Sequence, residues 1–333
     1  MIVVEEEPAI REHSPSAPGI IPNAKPTSKH TLALSTNWSA ARHFDGEAML
    51  LEIRDLGFEY VELGHTIRYS LWPGIKKAIE NGVVKVTSLH NFCPLPISDV
   101  PVSCNTFEYT HPRRVVREAA VFYTKKTIEA AAEVGARAVV LHAGSSSLRG
   151  FTRKLEKLFL NGKLYSSEYC RIKLNAVIQR RRESPQLWAR VKECLLTCLE
   201  HAEKYNILLG IETRSHFEEF PTEEEFTMIF EEIDSPYLGY WHDFGHLAGK
   251  EHLGFVDQKQ FLRKHAHRLI GAHFQDCRPP GIDHLPLGKG TNNFQEILSF
   301  FPKDYISVLE LTSRSTADDI VASRRLWATF ANT

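Results

Sequence analysis

From Thr31 onward, short runs of apolar and β-branched residues alternate with longer stretches whose apolar positions recur at helical spacing. The spacing predicts strands over 32–35, 60–63, 83–89, 138–141, 207–211, 237–241, 269–274 and 306–311. Between them it predicts helices over 45–56, 71–81, 112–134, 185–205, 222–233, 257–265, 293–301 and 316–327. Local signals agree: Pro73 lies near one helix start, Gly135 closes another, and Thr222 with Glu225 forms a capping box. The strands are of the kind buried on both faces, as in a parallel sheet covered by helices. Eight successive strand–helix units in 333 residues predict an α/β chain folded as a single (β/α)8 TIM barrel. An open doubly wound sheet is the competing arrangement. It usually begins with a Gly-rich turn after its first strand, and Ser35-Thr36-Asn37-Trp38 is not one.

Two segments fall outside this rhythm. Residues 1–29, rich in Pro, Ser and charge, read as a flexible N-terminal tail ahead of a barrel over 30–333. Residues 149–184 read as a basic, partly helical insertion after the fourth strand, with the helix proper resuming at Pro185. Between Arg149 and Glu183 there are ten Lys or Arg against three Glu, which suits either a solvated helical face or a contact with phosphates. Over the whole chain, 40 Lys+Arg against 41 Asp+Glu give no electrostatic case for nucleic acid or a membrane surface. No apolar run approaches the roughly 18 residues of a membrane span. The acidic Glu5-Glu6-Glu7 gives the wrong charge for a signal peptide. The six cysteines contain no CxxC pair, and Cys194 and Cys198 share a helix face, so a reduced, cytoplasmic protein is the simplest inference.

The candidate chemistry lies at the strand ends. In a barrel these converge on one mouth. They carry His65, His90, His142, Glu212 with Arg214, Asp243 with His246, His273 with Gln275 and Asp276, and Glu310. The stretch Gly239-Tyr-Trp-His-Asp-Phe-Gly-His246 is central, placing an acid and an imidazole three residues apart at a strand exit, with Gly245 read as a turn. Asp243 alone would serve equally well as a helix cap beside a surface histidine. The set Glu212, Asp243, His273 and Glu310 points instead to a divalent metal site. Three carboxylates and one imidazole favour Mn, Mg or Co, and the neighbouring histidines let zinc compete or allow a second ion. Trp38, Phe92, Phe217, Phe244 and Phe274 lie near strand ends, where they would stack on a sugar face or simply close the rim.

With Gly210-Ile-Glu-Thr-Arg214, Trp241-His-Asp-Phe-Gly-His246, Gly271-Ala-His-Phe-Gln-Asp276 and Val308-Leu-Glu310, the eight-unit pattern resembles the xylose isomerase-like TIM-barrel superfamily. That group includes sugar phosphate isomerases and epimerases, and endonuclease IV. The resemblance covers 31–330 and implies one divalent ion on Glu212, Asp243, His273 and Glu310. Similarity to its ketose epimerases implies substrate contacts from His246, Glu218 and Arg278, the last one residue off the usual spacing, and His90 and His142 are further candidates for substrate contact. Similarity to endonuclease IV makes His90 and His142 further metal ligands and matches His284, but puts Ile282 where that family has an Asp. A second ion would draw on His65, His90, His142, His246 and His284.

These residues suit proton transfer next to a polarised carbonyl, with Glu212 and Glu310 as the acid–base pair. The leading expectation is a sugar or sugar-derivative isomerase or epimerase working through an enediolate, on a small sugar or polyol. Keto-sugar dehydration begins with the same proton abstraction. The competing classes are a hydrolase of phosphodiesters or amides and a metal-bearing binding module without turnover. No P-loop or Rossmann fingerprint occurs, so no nucleotide cofactor is implied. Barrel isomerases of this group are often dimers or tetramers, and by that analogy a homo-oligomer is expected.

Overall fold

Strands form where the sequence carries its short apolar runs, and they close on themselves. The computed structural model describes residues 31–98 and 102–331. The barrel strands are β1 (Leu32–Ser35), β2 (Tyr60–Leu63), β3 (Lys85–His90), β4 (Ala138–Leu141), β5 (Leu208–Glu212), β6 (Leu238–Asp243), β7 (Leu269–Phe274) and β8 (Ile306–Leu309). They run parallel in chain order, and β8 pairs with β1 through Leu34 and Leu309. The (β/α)8 barrel expected from the periodicity is therefore present. The expected tail over 1–29 lies outside the described residues.

The helices are α1 (Gly46–Asp55), α2 (Trp72–Glu80), α3 (Arg114–Glu133), α4 (Phe151–Leu160), α5 (Ser167–Tyr205), α6 (Glu223–Glu232), α7 (Phe244–His252), α8 (Gln258–His265), α9 (Phe294–Leu298) and α10 (Ala317–Phe330). Thr222 and Glu225 make the expected capping box of α6. None of the described helices is long and apolar enough to cross a membrane. All six cysteines are free thiols.

Two helical expectations need correction. The helix before β5 does not begin at Pro185. It starts at Ser167, capped by Ser166, and runs 39 residues through the proline. Proline stops helices locally, but here the turns on both sides are held by buried contacts, Arg180 on one and Leu187 and Trp188 on the other. The glycine after Asp243 is not a turn either: Gly245 lies in the first turn of α7, whose N-cap is Asp243 itself.

The core has two parts. A large apolar layer lies between strands and helices, and a smaller cluster of Ala33, Ala138, Val140, Leu208, Trp241, Ile270, Ile306 and Val308 fills the barrel interior. Trp241 is the largest plug, and Gly271 makes room for it. A Cβ there would stand 2.5 Å from the indole ring. The cross-strand register then sets the ligand-type residues at one height above this plug, with His273 opposite both Asp243 and Val308. Two short antiparallel pairs frame the mouth: Gly144–Ser145 with Glu219–Phe220, and Asp276–Arg278 with Ile282–Leu285.

Candidate metal centre

Glu212 ends β5, Asp243 ends β6, His273 lies one residue before the end of β7, and Glu310 follows β8. All four are buried, and one ligand atom from each lies within 4.8 Å of the others. His273 Nδ1 stands 3.1 Å from Glu212 Oε1, 3.1 Å from Glu310 Oε2 and 3.6 Å from Asp243 Oδ2. Three carboxylates and one imidazole nitrogen turned inward on a common point form a donor set for a hard-to-borderline divalent cation. Burying three acids this close is costly without such a charge.

The supporting contacts orient each ligand. On the far side of the His273 ring, Nε2 lies 3.2 Å from both oxygens of Glu62, which also accepts from Ser88 Oγ at 2.9 Å. A histidine ligand commonly gives its second N–H to a carboxylate in this way, which fixes its tautomer. Burial works against the imidazolium, but the charges of Glu310 and Glu62 prevail and raise the His273 pKa well above its ordinary value. Asp243 Oδ1 accepts from the His246 amide at 2.7 Å, and Oδ2 from Gln275 Nε2 at 2.6 Å. The helix-cap and ligand readings of Asp243 thus hold together. Asn37 Nδ2 donates to Glu310 Oε1 at 3.0 Å, leaving Oε2 toward His273. Burial opposes ionisation of Glu212, yet His142, His273 and His90 around it hold its carboxyl well below the usual range.

Two further ligand sets flank this one, His90 and His142 with Glu212, and His246 and His284 with Asp283. In the first, His90 Nε2 lies 3.3 Å from Glu212 Oε2, and His142 Nε2 lies against the same oxygen. In the second, His284 Nδ1 lies 3.0 Å and His246 Nε2 3.9 Å from Asp283. Ile282 in place of an acid does not leave this corner without a carboxylate, since Asp283 supplies it from the next position. The His284 backbone there adopts φ of 53°. Four of the five histidines proposed for a second ion therefore divide between two sets. His65, half-buried with its ring 4.9 Å from His90, belongs to neither.

Two residues expected at the substrate lie outside these three sets. The Glu218 carboxylate accepts from the Thr152 amide at 3.0 Å and from its hydroxyl, so it is engaged with the start of α4. Arg278 is exposed on the hairpin beyond β7. Glu62 went unnoticed in the sequence as a site residue, although a lone acid inside the apolar run 60–63 was a usable signal. Asn37 gave no comparable signal, because its role depends on a contact across the barrel with Glu310.

A family model described as a xylose isomerase-like TIM barrel matches residues 50–328. Among solved structures, the chain is similar to a D-tagatose 3-epimerase-like protein, with TM-score 0.65 and 19% identity over 91% of this chain and 97% of that one. It is also similar to a 3-keto-D-glucoside 4-epimerase from E. coli, with TM-score 0.62 and 13% identity over 90% and 98%. An L-ribulose 3-epimerase gives TM-score 0.59 and 16% identity over 90% and 91%. No curated protein matches the chain. At these identities the structural likeness speaks for the fold.

Proposed function

The chain belongs to the xylose isomerase-like TIM-barrel family, and from that premise we propose that it is a divalent-metal-dependent isomerase or epimerase of a sugar or sugar derivative. The observation that carries this is the convergence of Glu212, Asp243, His273 and Glu310 within 4.8 Å at the barrel mouth. These four residues would hold one ion, Mn, Mg or Co in preference to zinc by their oxygen-rich donors. When bound, that ion polarises a carbonyl and acidifies the neighbouring C–H.

The chain's own residues then move the proton. Glu212 rises from β5 and Glu310 from the end of β8, with β6 and β7 between them in the barrel wall. Two carboxylates approaching from different sides suit removal of a proton by one and its return by the other, through an enediolate of the substrate. Return to the neighbouring carbon isomerises, and return to the same carbon from the opposite face epimerises. His246 and His284 stand at the rim above Glu310 and Asp243, where they would orient substrate hydroxyls. Epimerase names among the similar structures support a sugar as substrate. Dehydration of a keto-sugar would use the same first step.

One observation favours a second reading. The flanking sets of His90, His142, Glu212 and of His246, Asp283, His284 resemble the additional ligands of a multi-ion hydrolase. The formal net charge of -1 weighs against a nucleic-acid substrate. The deciding experiment is elemental analysis of protein purified without chelator or added metal, followed by a ketose screen in D2O. One Mn, Mg or Co per chain with solvent deuterium entering a ketose supports the isomerase. Two or more zinc ions per chain, with no exchange into any ketose, would replace it with the hydrolase.

A further inference from the structure

One of the flanking sets already holds a cation of the protein's own. Arg214 follows β5 two residues after Glu212, and its side chain is buried. Glu219 grips it from the outer side, with Oε1 2.5 Å from Nη2 and 3.2 Å from Nε. Glu219 is fixed in turn: it accepts from the His216 amide at 2.9 Å and lies on the short strand that pairs with Gly144–Ser145, just beyond His142. The inner end of the guanidinium, Nη1, bonds His142 Nε2 and lies 3.2 Å from Glu212 Oε2. These are the atoms that, with His90, would have to hold an ion in that set.

A divalent ion sits about 2.0–2.2 Å from its nitrogen and oxygen ligands. A nitrogen in contact with both His142 and Glu212 therefore stands in the ion's place. Moving it away would break both bonds to Glu219 and leave two buried charges unpaired. The tautomer of His142 agrees with this arrangement. Its Nδ1 lies 2.8 Å from Asn105 Oδ1, which accepts an N–H, so Nε2 presents a lone pair to the guanidinium.

We propose that Arg214 replaces a metal ion between His142 and Glu212, and so closes the His90–His142–Glu212 set to metal beside the ion of Glu212, Asp243, His273 and Glu310. Glu212 then divides its oxygens, Oε1 toward His273 and the ion, Oε2 toward Arg214. The proposal rests on the metal-centre reading above and bears on the chemistry of that centre, because two ions bridged by Glu212 cannot assemble while the arginine is in place.

The test is Mn²⁺ titration of chelator-stripped, full-length protein by calorimetry, with bound metal counted after desalting. Wild type should bind one ion per chain, and H142A should still bind one. R214M should bind two, and R214M/H142A should return to one. An R214M count equal to wild type overturns the proposal, as does a wild type whose count falls on H142A. Should R214M fail to fold, the H142A comparison decides alone. Wild type binding no ion at all would sink the metal-centre reading itself and the proposal with it.

Discussion

Glu310 shows how little a single side chain needs to change for the chemistry to be tested. Glutamine at this position keeps the shape and a hydrogen-bonding partner for Asn37, but it cannot carry a proton. Glu310→Gln should lower turnover by roughly 10²- to 10⁴-fold, while the chelator-treated protein still melts as a folded barrel. Preserved turnover would remove Glu310 from proton transfer. Glu62 acts one step further out, on His273 rather than on the ion. Its replacement by alanine frees the ring that it orients, and Mn²⁺ affinity should fall by about 10- to 100-fold. Titration of the variant checks this, and an unaltered affinity would mean that His273 is held without it. Both residues are legible to different degrees. Glu310 stands at a strand end, where ligand types are expected, whereas Glu62 sits inside a strand and needs the facing His273 to give it meaning.

At the scale of elements, α5 carries the largest departure from sequence expectation. Its basic run is not simply a solvated face. Arg180 is buried in a two-point contact with Glu225, at 2.9 and 2.7 Å, and donates to the Glu218 carbonyl at 2.9 Å. It thereby ties the insertion to the start of α6. Arg180→Met leaves the Glu225 carboxylate buried and unpaired, which should cost about 3–5 kcal/mol of stability. Urea unfolding measures it, and a loss below 1 kcal/mol would show that the pair is dispensable. The outer layer also contains two buried histidines. His265 of α8 lies between Phe230 and Phe261, and burial pushes its pKa down to about 4. His242 of β6 faces Phe244 and Phe301 and is pushed down to about 3. Both are neutral in the fold but titrate near 6.5 when unfolded, so the unfolded chain takes up protons first. Their contribution is complete above about pH 6.5 and is lost as the pH falls toward 4 and 3. Melting temperature in chelator should therefore drop steadily from pH 7 to 4.5. A flat profile would contradict the assignment.

For the whole molecule, the ion and the fold should be coupled. The four ligands come from β5, β6, β7 and the end of β8, so an ion that binds only the folded barrel stabilises all of these strands together. At a hundredfold excess over its dissociation constant it should add about 2.7 kcal/mol, raising the melting temperature by several degrees. Chelator should reverse the shift, and no response to Mn²⁺, Mg²⁺, Co²⁺ or Zn²⁺ would argue that the set is not a metal site. The barrel itself was readable from the chain, because alternating strand and helix periods are local properties that eight repeats leave little room to misread. The convergence of Glu212, Asp243, His273 and Glu310 was readable for the same reason, since a barrel sends strand ends to one mouth. Other features depended on distances that no local pattern encodes. These include the passage of α5 through Pro185, the turn of Glu218 toward Thr152, the supply of a carboxylate by Asp283, and the placement of the Arg214 guanidinium between His142 and Glu212. Sequence determined which residues face the mouth, because periodicity sets the face. Only the closed barrel decided which of them touch, because contact depends on side-chain reach across strands far apart in the chain.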